Sequence, residues 1–217
     1  MINTIIFDLW NTLAVKDIST SNTLKEHFKI NNPDYAGTYD ISCQTRKWPC
    51  KEDYARQYLK TFNIPINENN IKFVVDTLDN GTRSTKIIPG MEEILIELKA
   101  KYKTALVTNS NNFEFEGIRH LGIEKHFDAI VTSFESGVPK PDRKLFDLVA
   151  SKLSVGLHEC VFIDDRENFI EMAKEYGMET ILFKDPKQLR QELIKIKILK
   201  NQHRGGFRAA KGARFRA

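Results

Sequence analysis

TIIFDLWNTL, residues 4–13, decides how this chain is read. An apolar, strand-like run ends on Asp8 and then turns through Asn11 and Thr12. A carboxylate at the end of a buried strand is costly unless something pairs with it or uses it. In an extended segment residues two apart point the same way, so Asp8 and Trp10 are expected to face one space. An indole stands where a second acid would be expected.

Working outward from that strand, two kinds of pattern follow. Residues 15–85 read as helices joined by polar turns, expected at 23–28, 35–46, 51–62 and 68–78. The third carries Tyr54, Tyr58 and Phe62 at helical spacing, and the fourth carries Ile71, Val74, Val75 and Leu78. From residue 86 the pattern alternates, with helices at 91–100, 113–121, 144–153, 169–176 and 187–200. Strands fall between them at 104–107, 129–132, 160–163 and 180–183. Alternation of this kind implies an α/β fold with a doubly wound parallel sheet. The expected organisation is a core from residues 1–14 and 86–200, a small helical cap inserted after the first strand over 15–85, and a basic tail over 201–217.

Composition sets broad limits. At 217 residues, 41% hydrophobic and 29% charged, the chain can bury one full core and a smaller accessory unit. No apolar run approaches the roughly 20 residues that span a bilayer, and no charged leader precedes the first apolar residues. A cytoplasmic protein without a membrane partner is the expectation. Cys43, Cys50 and Cys160 form no metal or redox pattern and are read as reduced, mostly buried thiols. Arg204, Arg208, Lys211, Arg214 and Arg216 in the tail outnumber the chain's net charge of +4, so the rest is close to neutral. A Gly, Ala and Arg-rich tail cannot fold alone. It is read as a bland extension rather than a nucleic-acid arm, and no nucleic-acid partner is expected. Oligomeric state stays open.

A doubly wound sheet gathers the carboxyl ends of its strands along one edge, where ligands bind. That geometry brings together Asp8, Thr108 with Asn109, and Asp164 with Asp165, and Lys140 joins them from the loop GVPKPD, residues 137–142. A hydroxyl, an amide, a lysine and three carboxylates suit an anion bound beside a divalent cation. Carboxylates this close raise one another's pKa unless a positive charge joins them. Oxygen-only ligands favour Mg²⁺ over zinc or copper.

FDLWNTL (7–13), LVTNS (106–110), GVPKPDRKLF (137–146) and VFIDDRENFIEMAKEYGM (161–178) resemble, in order, the four motifs of the haloacid dehalogenase-like hydrolase superfamily. The helical insertion after the first motif is similar to that superfamily's cap. The resemblance implies a Rossmannoid core and a nucleophilic Asp8 that attacks phosphorus in line, giving an aspartyl-phosphate which water then hydrolyses. It implies a catalytic set of Asp8, Thr108 and Lys140, with Trp10, Thr108, Asn109 and Lys140 around the substrate. It also implies Mg²⁺ held by Asp8, Asp164, Asp165 and the backbone carbonyl of Trp10.

Trp10 departs from the superfamily's phosphatases, which carry an aspartate there to protonate the leaving oxygen and later activate water. An indole N–H has no useful acidity. The superfamily's dehalogenases place an aromatic residue here and need no metal, but they carry Ser and Asn in the fourth motif and a tyrosine where this chain has Phe146. The metal-type fourth motif outweighs the aromatic in the first. The expectation is a Mg²⁺-dependent phosphatase-type hydrolase, weakened at acid–base catalysis, acting on a small phosphorylated metabolite. Two alternatives stand beside it: a metal-independent 2-haloacid dehalogenase, and a binding protein with vestigial chemistry.

Other signals are weaker. His27, His120, His126, His158 and His203 lie outside the motifs and are read as surface or helix-end residues. Arg46, Lys47 and Trp48 are read as ordinary cap surface, or alternatively as a clamp for an anion.

Overall fold

The computed structural model describes residues 1–200. At its centre lies strand β1 (Thr4–Phe7), buried along its whole length because helices cover both faces of the sheet. β1 pairs in parallel with β4 (Lys103–Thr108) on one side and β6 (Cys160–Asp164) on the other. β5 (Ala129–Thr132) and β7 (Glu179–Leu182) complete a five-stranded sheet of order β5-β4-β1-β6-β7. The chain runs outward from β1 through β4 to β5, then returns to β6 on the opposite side. The carboxyl end of β1 is therefore the switch point at which a doubly wound sheet opens its crevice.

Side-chain alternation along β1 divides the core. Ile5 and Phe7 face α5 (Met91–Lys99), α6 (Asn112–His120) and α10 (Pro186–Lys195), meeting Leu95, Ile118 and Leu189. Ile6 points the other way, into α8 (Arg143–Leu153) and α9 (Glu167–Glu175), where it joins Phe146, Val149 and Ile170. The expected parallel α/β sheet is the one the chain forms.

Four helices lie between β2 (Ala14–Lys16) and β3 (Thr85–Ile87): α1 (Thr20–His27), α2 (Tyr35–Cys43), α3 (Lys51–Thr61) and α4 (Glu68–Arg83). Their apolar faces meet in a cluster of their own around Tyr54, Tyr58, Leu59, Val74 and Leu78. Burying tyrosines leaves hydroxyls to satisfy, and here they pair. Tyr39 meets Tyr54 at 2.8 Å, and Tyr35 meets Tyr58 at 3.2 Å.

Several boundaries differ from the pattern in the sequence. β2 and β3 form an antiparallel pair where the chain leaves and rejoins the core; three-residue strands are too short for a periodicity to register. α4 continues past residue 78 through a polar segment to Arg83, and Gly81 there lies so close to Thr20 that a Cβ would clash with its hydroxyl. α1 starts earlier than expected, at Thr20 behind the N-cap Ser19. α10 stops at Lys195 rather than 200, and Lys197 turns with φ 64°. A one-turn helix, α7 (Ser133–Ser136), follows β5. No described helix is long and apolar enough to cross a membrane.

Candidate active site

The N–H of Asp8, one residue beyond β1, donates to the Ile163 carbonyl at 2.8 Å. After it the chain turns sharply at Asn11, which takes φ 60°, a left-handed conformation that a short polar side chain tolerates. Asp164 closes β6 and is fully buried, and Asp165 follows half-buried. Between them enters Lys140, whose ammonium donates to Asp8 Oδ1 and, at 2.6 Å, to Asp164 Oδ2. The second oxygen of Asp164 accepts from the Arg166 N–H at 2.9 Å. Three motifs thus converge at the carboxyl ends of β1 and β6, with Lys140 arriving from the loop after α7.

Burial and charge oppose one another here. Burial pushes the Asp8 carboxyl up to about 7, with Lys140 pulling it down and Asp164 adding to the rise. Asp165 is raised by burial and by Asp164, against Lys140 and a hydrogen bond from the Asn11 side chain. For Lys140, burial acts to lower the ammonium pKa, but Asp164 and Asp8 more than offset it and hold it above its ordinary value. One lysine serves several carboxylates, so the cluster is short of positive charge.

That shortage, with the donor chemistry, is the test of a metal. One oxygen from each of Asp8, Asp164 and Asp165 lies within 4.8 Å of the others. All three are hard oxygen ligands of the kind Mg²⁺ takes. The residues fit a divalent cation.

A cavity of about 220 Å³ opens over this cluster, floored by core loops and roofed by α1 and α2. Trp10, Asn109 and Lys140 line it with the three carboxylates, so the space that Asp8 and Trp10 were expected to share exists. The Trp10 indole N–H donates to Ser110 Oγ at 2.8 Å. Ser110 Oγ also lies 3.0 Å from the Thr108 hydroxyl. Thr108, expected at the substrate, is fully buried behind this wall and does not line the cavity. Asn109 does, and its side chain is engaged at both ends: Oδ1 accepts from the Lys140 N–H at 2.7 Å, and Nδ2 donates to Asp40 Oδ2 at 2.9 Å.

Asp40 belongs to α2 and lies outside all four motifs. Its carboxylate also accepts from Arg166 at 3.2 Å, which ties the helical insertion to the loops after β4 and β6. Burial raises its pKa, against the pull of Asn109 and Arg166. A second buried group escaped the sequence reading: Lys16 pairs with Glu114 at 2.5 Å, and Gln44 and Asn111 donate to the same carboxylate at 2.8 and 3.1 Å. The Lys16 ammonium stands 4.0 Å above the Trp10 ring. Asn111 followed three residues later by Glu114 could have been read as a helix start, since Asn111 caps α6. Nothing in that pattern marks the glutamate as buried.

Arg46, Lys47 and Trp48 do not line the cavity. Trp48 is buried among the helices, donating to the Cys43 carbonyl at 2.9 Å, and Arg46 lies 4.6 Å over its ring. His126, expected at the surface or a helix end, closes a 3₁₀ turn but is buried, 3.5 Å from Glu92. His203 and the basic tail lie outside the described residues.

Comparison with known proteins places this geometry in context. A family model described as haloacid dehalogenase-like hydrolase matches residues 5–183. A glyceraldehyde 3-phosphate phosphatase of Pyrococcus abyssi is 27% identical over 198 residues, covering 85% of this chain and 82% of the archaeal protein. Bifunctional epoxide hydrolase 2 of Sus scrofa is 27% identical over 213 residues, 88% of this chain, which spans 38% of the pig protein. Among solved structures, a Bacteroides thetaiotaomicron enzyme of the same family, in complex with magnesium and inorganic phosphate, superposes with a TM-score of 0.61 at 20% identity, over 85% of this chain and 96% of that one. L-2-haloacid dehalogenase from Xanthobacter autotrophicus does so with a TM-score of 0.56 at 18% identity, over 92% and 85%. Both likenesses are of fold.

Proposed function

The chain belongs to the haloacid dehalogenase-like hydrolase family and is a hydrolase, and from that premise we propose that it is a Mg²⁺-dependent phosphatase acting on a small phosphorylated metabolite through an aspartyl-phosphate on Asp8. The observation that carries this reading is the convergence of Asp8, Asp164 and Asp165 around the Lys140 ammonium. The phosphatases among the relatives support the substrate class. In this reading residues 15–85 are the cap, and residues 1–14 and 86–200 the catalytic core.

Asp8 supplies the nucleophilic oxygen for in-line attack on phosphorus. Lys140 neutralises charge beside it, and Asn109 with the backbone after β4 orients the transferring group. Thr108 acts from behind the cavity wall, holding Ser110 and through it the Trp10 ring. Asp8, Asp164, Asp165 and the residue-10 carbonyl would hold Mg²⁺, which when bound would supply positive charge beside the nucleophile. Position 10 contributes no proton. General acid–base catalysis typically contributes about 10²–10⁴-fold, so alkyl phosphates are slow substrates and esters with good leaving groups suffer least.

Trp10 is also what favours a dehalogenase, since carbon–halogen cleavage needs no acid at that position. The buried carboxylates argue against it, because a haloacid carboxylate would be repelled there. The deciding experiment measures phosphate release from para-nitrophenyl phosphate and halide release from 2-haloacids, each with Mg²⁺ and with EDTA. Phosphate release abolished by EDTA is the expected outcome. Halide release that survives EDTA would replace this reading with the dehalogenase, and neither activity would leave a binding protein.

A further inference from the structure

We infer that the cavity selects phosphate monoesters whose leaving group is uncharged, and that the buried Lys16–Glu114 pair enforces the selection. The inference rests on the phosphatase reading and adds the chemistry of the part of the substrate that departs.

Charge complementarity is the first ground. Among the described residues lining the cavity, five carboxylates face three cations. Each cation is already paired: Lys140 with Asp8 and Asp164, Arg166 with Asp40, and Lys16 with Glu114. With all five ionised, the formal surplus of two negative charges is what one divalent cation would balance. Nothing positive is left over for a second anionic group. A carboxylate or second phosphate on the leaving group would lie in a cavity lined by Glu114 and Asp40 with no free cation to offset its desolvation.

The position of the Lys16–Glu114 pair is the second ground. Lys16 stands over Trp10, the residue two beyond the nucleophile, so it borders the space into which the leaving group must project. Its ammonium would recognise an anion if it were free. It is not: Glu114 holds it at 2.5 Å, and the side chains of Lys16 and Glu114 are 9% and 4% exposed, so solvent screens the pair little. Glu114 is fixed in turn by Gln44 of the roof and Asn111 of the floor.

The remaining wall suits a neutral group. Trp10, Tyr35 and Tyr39 line it with aromatic carbon, while Ser19, Ser21 and Asn22 bring hydroxyls and an amide. Aromatic carbon packs against C–H surface and the polar groups meet hydroxyls, the combination that binds a short polyhydroxylated carbon chain. The volume of about 220 Å³ is below the ~300–1,000 Å³ of pockets for drug-sized ligands, which limits the substrate to a small molecule.

The test measures kcat/KM of the full chain with Mg²⁺ on two sets of esters. Glycerol 3-phosphate and a hexose 6-phosphate carry no charge beyond the phosphate that is transferred. Phosphoglycolate, 3-phosphoglycerate and a hexose bisphosphate carry a second anionic group. Neutral leaving groups are expected to be preferred by about tenfold or more at matched leaving-group pKa. Glu114→Gln keeps the shape and the one oxygen that Gln44 and Asn111 need, and releases Lys16, so it should narrow that ratio by about tenfold, whereas Lys16→Gln should widen it. Thermal melts of both variants report folding, and the wild-type ratio stands whether or not they fold. An equal or opposite wild-type preference overturns the inference and leaves the phosphatase intact, as does a ratio unmoved in a folded Glu114→Gln. Turnover of no ester in either set overturns the phosphatase reading, and the selectivity falls with it.

Discussion

Trp10 and Ser110 are joined by a hydrogen bond that commits the only polar atom of the indole to the core, at 2.8 Å. What the ring presents to the cavity beside Asp8 is therefore carbon. Its opposite constraint is Lys16, 4.0 Å above the ring, so the side chain is held by a bond at its edge and a cation at its face. A residue that cannot move a proton is fixed where the proton donor of a phosphatase would stand.

Replacing Trp10 with Asp should therefore raise turnover. A gain of about tenfold to 10³-fold in kcat on alkyl phosphates is expected, with a smaller gain on para-nitrophenyl phosphate, whose leaving group needs little protonation. The alkyl-to-aryl rate ratio is the measurement. An unchanged ratio in a folded variant would show that position 10 does not limit the reaction.

Asp8→Asn removes the proposed nucleophile while preserving shape. Phosphate release should fall by roughly 10³-fold or more. Mass spectrometry of wild-type protein quenched in acid should detect a phosphoryl adduct that the variant lacks. Mg²⁺-dependent turnover persisting in Asp8→Asn would remove this residue from the chemistry.

Lys140→Met leaves Asp8 and Asp164 buried side by side with no counter-charge. Breaking a buried ion pair from one side costs about 3–5 kcal/mol, so the melting temperature without metal should drop sharply. Mg²⁺ should restore more stability to this variant than to the wild type, because it replaces charge that the variant has lost. Equal Mg²⁺ shifts in calorimetry would mean that the metal sits elsewhere.

Tyr54→Phe strands the buried Tyr39 hydroxyl, its partner at 2.8 Å. A loss of about 1–3 kcal/mol is expected, since an unsatisfied buried group forfeits its solvation. The double variant with Tyr39→Phe should lose less than the two single losses added together. Denaturant titration of all three reads the coupling directly.

The core was legible because its physics is local and repetitive. A strand that ends on an acid, followed by helices and strands in strict alternation, leaves few ways to build a sheet, and the motif residues fall at the strand ends that the topology brings together. Trp10 could be placed beside Asp8 from period-two geometry alone. Thr108 could not be resolved the same way. Its place at the end of β4 was clear, but its hydroxyl turns inward to Ser110 through a contact that no spacing encodes. Asp40 and Glu114 were missed for a related reason: each is a charged residue on an ordinary helix, and only the fold shields it, Glu114 fully and Asp40 in part, and pairs it across about 70 or more residues of sequence. Arg46 and Trp48 show the converse. A cationic, aromatic string read as surface, or alternatively as an anion clamp, sends its tryptophan into the interior of the helical insertion.

The antiparallel ladder between β2 and β3 has a consequence for how this architecture can be rearranged. Lys16 stands opposite Thr85, so the whole segment between them leaves and returns across a single strand spacing of about 4.8 Å. A two-residue Asn-Gly turn spans such a gap as an ordinary hairpin. The roof over the active site is thus spliced into the sheet protein at one seam, and a roof from another family member, trimmed to the same register, can be exchanged there without re-threading any strand of the parallel sheet.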